Sequence, residues 1–188
     1  MSSELSRRID VQECTILVID MQERLLPAMH DPEGCSAQCV KLIQGAKTLG
    51  VPILWTEQYR KGLGPTVPAI AEAIGDAASP MEKMCFGCLD NELVRSSVEK
   101  IGRSHLVLCG IEAHVCVLQT ALHAMELGLK PVLAEDAVSS RRATDRAAGI
   151  ARLYQAGVIP GTVEMLLMEW LRVAGTDTFK KMLPLFKS

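Results

Sequence analysis

Short apolar runs alternate with helical segments along most of the chain. The run 14–19, CTILVI, is rich in β-branched residues and ends at Asp20, which predicts a buried strand. Asp31 followed by Pro32 is typical of a helix start, and Gly50 is typical of a helix end. The same patterns predict further strands at 51–56, 80–86, 105–109, 130–134 and 158–159, and helices at 68–74, 91–101, 113–127, 144–156, from 162 onward and at 177–186.

This alternation of strands and helices predicts an α/β fold built from parallel βαβ units, with helices on both faces of the sheet. In such sheets, ligands bind beyond the carboxyl ends of the strands. Residues directly after a predicted strand are therefore the first candidates for a functional site.

Length and charge narrow the class of protein. The chain has 188 residues, so we expect a single domain over 1–188. A formal net charge of −2 and an aromatic content of 4% argue against nucleic acid as the partner. The chain has no excess of basic residues to neutralise phosphates and few aromatic side chains on which bases could stack. The expected partner is a small-molecule substrate.

The chain has no apolar run of membrane-spanning length and no signal-like N-terminal stretch, so we expect a cytoplasmic protein without a membrane partner. Its seven cysteines then read as reduced thiols and not as a disulfide framework.

Three residues near predicted strand ends could carry chemistry, and each also has a plainer interpretation. Asp20 is either a general base or a cap of a turn. Cys116 lies near the start of a predicted helix, which would lower its thiol pKa and favour a nucleophile, but it could equally be a small buried hydrophobe. Lys83 is either a solvated surface residue or a cation that holds a carboxylate and a thiolate.

With VIDMQ around Asp20, MEKMCF around Lys83 and CGIEAHVCVLQTA around Cys116, the chain resembles the isochorismatase-like cysteine hydrolases. The resemblance runs from about residue 15 to the C-terminus and is strongest to small isochorismatase-domain-containing proteins. It implies an Asp20–Lys83–Cys116 catalytic triad and a three-layer Rossmann-like fold with a six-stranded parallel sheet flanked by helices. It also implies a homo-oligomer.

The same resemblance implies the surroundings of the nucleophile. The backbone amides of Glu112 and Cys116 would form the oxyanion hole, and a cis peptide bond would fall between Ile111 and Glu112. Candidate substrate-binding residues are Gln22, Leu25, Glu57, Gln58, Tyr59 and Phe86.

Departures from the family pattern bear on the substrate. Nicotinamidases of the family hold a metal with an Asp-x-His pattern after the second strand, where this chain has Thr56-Glu57-Gln58-Tyr59. We therefore expect no metal and no cofactor. Family members that cleave a vinyl ether typically lack the cysteine nucleophile, so Cys116 favours an amide, carbamoyl or related acyl substrate. Gly87 stands where the family usually has Ser.

Two other functions fit the sequence. Cys85 and Cys88 have the C-x-x-C spacing of a thiol redox site, although a chance occurrence is more common in a chain rich in cysteine. A non-catalytic relative that keeps the fold for binding is the other alternative. The presence of Asp20, Lys83 and Cys116 together argues against it.

Overall fold

A six-stranded, all-parallel sheet forms the centre of the protein, whose computed structural model describes residues 7–187. In spatial order the strands run β3-β2-β1-β4-β5-β6. The strand bounds are β1 Cys14–Ile19, β2 Ile53–Gln58, β3 Met81–Lys83, β4 His105–Ile111, β5 Lys130–Ser139 and β6 Ile159–Gly161.

Helices cover both faces of the sheet. Their bounds are α1 Pro32–Leu49, α2 Arg60–Leu63, α3 Pro68–Ile74, α4 Glu92–Ile101, α5 Leu118–Glu126, α6 Ala143–Ala156, α7 Val163–Leu171 and α8 Asp177–Met182. Within residues 7–187, none of them combines the length and the apolar character that crossing a bilayer requires.

Two apolar cores, one on each face, hold these layers together. Along β1, Ile16 and Val18 pack with α1, α3, α7 and α8, whereas Leu17 and Ile19 pack with α4, α5 and α6. Side chains of a strand alternate between the two faces, so an unbroken apolar strand serves both cores. The three-layer α/β fold with a six-stranded parallel sheet is confirmed.

The carboxyl ends of the central strands lie close together. Ile19 pairs with Thr56 of β2 and with Gly110 of β4. Gly110 has φ +107°, and a Cβ there would lie 2.1 Å from the Ile19 carbonyl oxygen. Only glycine permits this approach, which brings the chain after β4 directly beside the chain after β1.

Several element bounds differ from the predictions. The predicted helix 113–127 begins as a π-helical turn, Ala113–Val117, before α5. Strand β5 continues five residues past the predicted end at 134, because its polar residues have partners: Glu135 accepts a hydrogen bond from Tyr154, and Asp136 accepts one from the Val163 amide.

The other differences are local. The predicted loop 57–65 contains the end of β2 and the short α2. The predicted C-terminal helix ends as α8, and a 3-10 turn, Leu183–Phe186, follows, since Pro184 cannot continue the α-helical hydrogen bonds.

Candidate active site

Asp20 turns the chain sharply at the end of β1. Its φ of +53° lies in the left-handed region, which Asp tolerates better than most residues. Its amide donates to the Thr56 carbonyl oxygen at 3.2 Å, and the Thr56 hydroxyl donates to Asp20 Oδ1 at 2.7 Å. The carboxylate is fully buried, so its position is fixed by these contacts and by the ion pair described next.

Lys83, the last residue of β3, reaches past the end of β2 to Asp20. Its Nζ lies 2.7 Å from Asp20 Oδ2, and both side chains are inaccessible to solvent. Gln58, at the end of β2, accepts a hydrogen bond from the same ammonium at 2.7 Å. Burial disfavours the charge of Lys83, but Cys88, Asp20 and Cys116 favour it more strongly, so the pKa of Lys83 is raised.

Cys116 lies in the π-helical turn after β4. Its Sγ is 3.8 Å from the Lys83 Nζ that also binds the Asp20 carboxylate. Burial and the negative charge of Asp20 raise the thiol pKa well above its usual value, although Lys83 acts in the opposite direction. The expectation that a helix start would lower this pKa is therefore wrong, because burial dominates. A neutral thiol here needs a base, and Asp20 is the carboxylate that shares the Lys83 ammonium with it.

The structure thus brings Asp20, Lys83 and Cys116 together. The loop that leads to Cys116 contains a cis peptide bond between Ile111 and Glu112. Arg141 binds the Glu112 carboxylate through its amide at 3.2 Å and its Nε at 3.3 Å. This loop is therefore held from its outer side by the residues that follow β5.

The predicted substrate-binding residues divide into three groups. The first group supports the site from within. Gln22 is buried, and its amide group bonds the Gln58 amide, the Gln58 carbonyl and the Gly64 carbonyl. Glu57 is buried as well and accepts bonds from both the amide and the hydroxyl of Thr66. Leu25 packs into the core beside α1. All three side chains are buried.

Gln58 forms the second group, since its Oε1 binds the Lys83 ammonium. The third group is exposed: Tyr59 and Phe86 present 45% and 56% of their surface to solvent. The backbone groups of both residues bind Lys83: the Tyr59 amide donates to the Lys83 carbonyl, and Lys83 Nζ donates to the Phe86 carbonyl.

The sequence patterns missed the roles of Thr56 and Thr120, and they indicated Cys88 only as part of a C-x-x-C pair. Thr56 anchors Asp20, as described above. Thr120 links two cysteines, since its hydroxyl donates to the Cys116 carbonyl at 2.6 Å and accepts from the Cys88 amide at 2.9 Å. Cys88 is fully buried, with Sγ 3.7 Å from Thr56 Oγ1. Thr120 lies four residues after Cys116, one helical turn along, which is the only sequence signal for its role.

The C-x-x-C pair is divided by the fold. Cys85 is partly exposed, whereas Cys88 lies inside against Thr56 and Thr120. Burial raises the pKa of Cys88 to about 12, with the charge of Asp20 acting in the same direction. Over residues 7–187, no cluster of three or more His, Cys, Asp or Glu side chains could hold a metal ion.

Comparison with known proteins gives the family. The family model described as Isochorismatase domain matches residues 14–165. Isochorismatase domain-containing protein 2 of Danio rerio is 35% identical over 175 residues, which are 93% of this chain and 87% of that protein.

Solved structures match over nearly the whole chain. The MAR1 ribonuclease of Caenorhabditis elegans has a TM-score of 0.90 at 32% identity, over 97% of this chain and 93% of that one. YcaC from Pseudomonas aeruginosa, solved with hexane-2,5-diol and covalent acrylamide, has a TM-score of 0.89 at 25% identity, and the match covers 97% of this chain and 93% of that one. The Escherichia coli YcaC gene product, described as an octameric hydrolase of unknown specificity, has a TM-score of 0.88 at 27% identity, over 95% and 89%.

The family model spans most of the chain, and each of these relatives matches more than nine-tenths of it. The protein with the buried Asp20–Lys83–Cys116 cluster is therefore a member of the isochorismatase hydrolase family.

Proposed function

We propose that the protein is a cysteine hydrolase that cleaves a small amide, carbamoyl or related acyl compound through a covalent thioester. One observation carries the proposal: the buried Lys83 ammonium contacts both the Asp20 carboxylate, at 2.7 Å, and the Cys116 Sγ, at 3.8 Å. A base beside a thiol, oriented by a third group, is the arrangement that nucleophilic catalysis requires.

In the first half of the reaction, Asp20 takes the thiol proton, and Cys116 Sγ attacks the carbonyl carbon of the substrate. The amides of Glu112 and Cys116 are our candidates for donors to the oxygen that becomes negative. Asp20 returns the proton to the leaving nitrogen as the carbon–nitrogen bond breaks. An amine leaves, and the acyl group stays on Cys116 as a thioester.

In the second half, water attacks the thioester carbon and gives a proton to Asp20. The carbon–sulfur bond breaks, the acid is released, and the proton returns to Cys116. Lys83 keeps its charge throughout, because its contact with Asp20 and Cys116 stabilises each anionic form in turn.

The relatives add two arguments. The P. aeruginosa YcaC structure contains covalent acrylamide, a small amide that reacts with thiols, which agrees with a reactive cysteine in this fold. The E. coli relative is an octamer, and α7 of this chain exposes Met165 and Met168. We propose that this protein is a homo-oligomer as well.

A ribonuclease activity, suggested by the name of the C. elegans relative, is less well supported. The net charge of −2 provides no excess of cations for RNA phosphates. The redox alternative is also weaker than the hydrolase, since Cys88 is fully buried away from solvent oxidants.

The experiment is an ammonia-release screen of small amides with the wild type, Cys116→Ala and the matched control Cys85→Ala. We expect turnover in the wild type and the control, none in Cys116→Ala, and an acyl adduct on the peptide that contains Cys116. Hydrolysis of the true substrate by Cys116→Ala at the wild-type rate would exclude the mechanism. RNA cleavage that survives in Cys116→Ala would favour a different site.

A further inference from the structure

The positively charged side chains around the triad already have hydrogen-bond or ion-pair partners within the protein. This limits the charge that a substrate can carry. Lys83 has three N–H donors. Four oxygen atoms lie within hydrogen-bond distance of its Nζ: Asp20 Oδ2 and Gln58 Oε1 at 2.7 Å, the Cys85 carbonyl at 3.2 Å and the Phe86 carbonyl at 3.3 Å. No donor of Lys83 is left for a substrate.

Two arginines beside residues of the site, Arg141 and Arg60, are also paired with carboxylates. Arg141, on the outer side of the nucleophile loop, binds the Glu112 carboxylate. Arg60, which follows Tyr59, lies 3.0 Å from the buried Glu57 carboxylate. The charges of each pair cancel, so none of these three cations offers a net positive field to a bound anion.

The triad is neutral as a unit. Asp20 and Lys83 carry opposite charges, and the Cys116 thiol is protonated at rest. When the thiol proton moves to Asp20, the sum does not change. An anionic substrate group would have to leave water for this buried centre without an opposite charge to meet it, which is unfavourable.

Exposed hydrophobic and aromatic side chains lie on the segments next to Lys83. Met84 and Phe86 follow Lys83 in the chain and are more than half exposed, and Tyr59 is nearly so. They offer contact surface to an uncharged skeleton and no positive charge to a carboxylate.

From these contacts we infer that the site, given the proposed hydrolase function on which this inference rests, selects uncharged carbonyl compounds and rejects those with a carboxylate near the reacting carbon. The substrate is a neutral amide or carbamoyl compound with a neutral substituent.

Iodoacetamide and iodoacetate test this in the wild-type protein. The two reagents have nearly the same size and both form a thioether at sulfur with release of iodide, but only iodoacetate is anionic. The ratio of their second-order rate constants at Cys116, measured by peptide mapping, is compared with the ratio for the free thiol N-acetylcysteinamide. The thiolate fraction affects both reagents equally and cancels in the ratio.

We expect the preference for iodoacetamide at Cys116 to exceed that of the free thiol by about tenfold, as a close uncompensated charge requires. Equal ratios would overturn this inference and leave the hydrolase proposal standing. Inertness of Cys116 toward both reagents, while Cys85 reacts, would overturn the hydrolase proposal and this inference together.

A variant tests the cause. Glu112→Gln removes the carboxylate that occupies Arg141 and leaves the backbone amide of residue 112 in place. We expect the iodoacetate rate at Cys116 to rise several-fold relative to iodoacetamide. A ratio unchanged from the wild type would overturn charge pairing as the origin of the preference.

Discussion

The Lys83 ammonium and the Asp20 carboxylate form an ion pair at 2.7 Å with neither side chain accessible to solvent. Removing one member leaves the other charged and buried. We expect Lys83→Met to reduce the free energy of unfolding by about 3–5 kcal/mol and to abolish hydrolysis. Urea unfolding followed by circular dichroism measures the first effect.

The matched control is the double variant Lys83→Met with Asp20→Asn, which removes both charges. It should be inactive but more stable than Lys83→Met alone, because no unpaired charge remains. A double variant that is less stable than the single one would contradict the ion pair as the source of the loss.

Thr56 gives a second prediction, since its hydroxyl donates to Asp20 Oδ1 at 2.7 Å. Thr56→Val keeps the shape and removes the donor, which leaves one carboxylate oxygen without this buried partner. We expect a loss of about 1–3 kcal/mol in the free energy of unfolding and a lower rate of Cys116 acylation. Thr56→Ser retains the hydroxyl and should stay close to the wild type in both measurements.

Gly149 of α6 lies against the loop that carries the nucleophile. A Cβ at this position would be 2.8 Å from the His114 Cα and 3.0 Å from its amide nitrogen. Alanine favours helices, but this contact is with backbone that cannot rotate away. We therefore expect Gly149→Ala to displace the loop, to destabilise the protein by about 1–3 kcal/mol and to slow alkylation of Cys116.

Ala148→Gly, at the exposed neighbouring position of α6, is the control for helix propensity. It should cost up to about 1 kcal/mol and leave the reactivity of Cys116 unchanged. If both variants slow alkylation to the same degree, the close contact of Gly149 with His114 is not the cause.

The buried thiols predict a loss of stability in alkaline solution. Burial raises the pKa values of Cys14 and Cys88 from 9.0 to about 12, and it raises that of Cys116 as well. Above pH 9 the unfolded chain therefore releases protons that the native protein retains, so stability falls as pH rises. Each such thiol contributes a slope of up to about 1.4 kcal/mol per pH unit.

Urea unfolding between pH 8 and 10.5 measures this slope. The contribution is fully present below pH 9 and is lost progressively above it. Cys88→Ala should show a shallower decline than the wild type. Equal slopes in the two proteins would contradict the assignment.

The fold and the three residues of the proposed triad could be predicted from the sequence for different physical reasons. The strand Cys14–Ile19 must be buried on both faces, so its apolar pattern is unbroken. Asp20 and Cys116 stand where parallel strands end, which the alternation of strands and helices locates. The role of Lys83 rested on the family resemblance, because a lysine in an apolar stretch has no pattern that reveals a partner 63 residues away.

The rest of the site depends on side-chain packing that no local pattern records. Gln22 looked like a pocket residue, yet its amide holds the loop that contains Gly64. The pKa of Cys116 depends on how deeply the turn after β4 is buried, and the sequence shows only that a turn is present. The sequence suggested Cys88 as the partner of Cys85 in a C-x-x-C pair, whereas in the fold Cys88 contacts Thr56 and Thr120.

The strand order has a consequence for how this site forms during folding. Asp20 and Lys83 are 63 residues apart, and Lys83 and Cys116 are 33 apart. Of their strands β1, β3 and β4, the first two are separated by β2 in the chain, and β3 and β4 are separated by β2 and β1 in the sheet. Closing such long loops is slow, and no fragment that lacks one of these strands contains the triad. Reactivity of Cys116 during refolding therefore reports the assembly of β1 to β4, later than any probe of local helix formation.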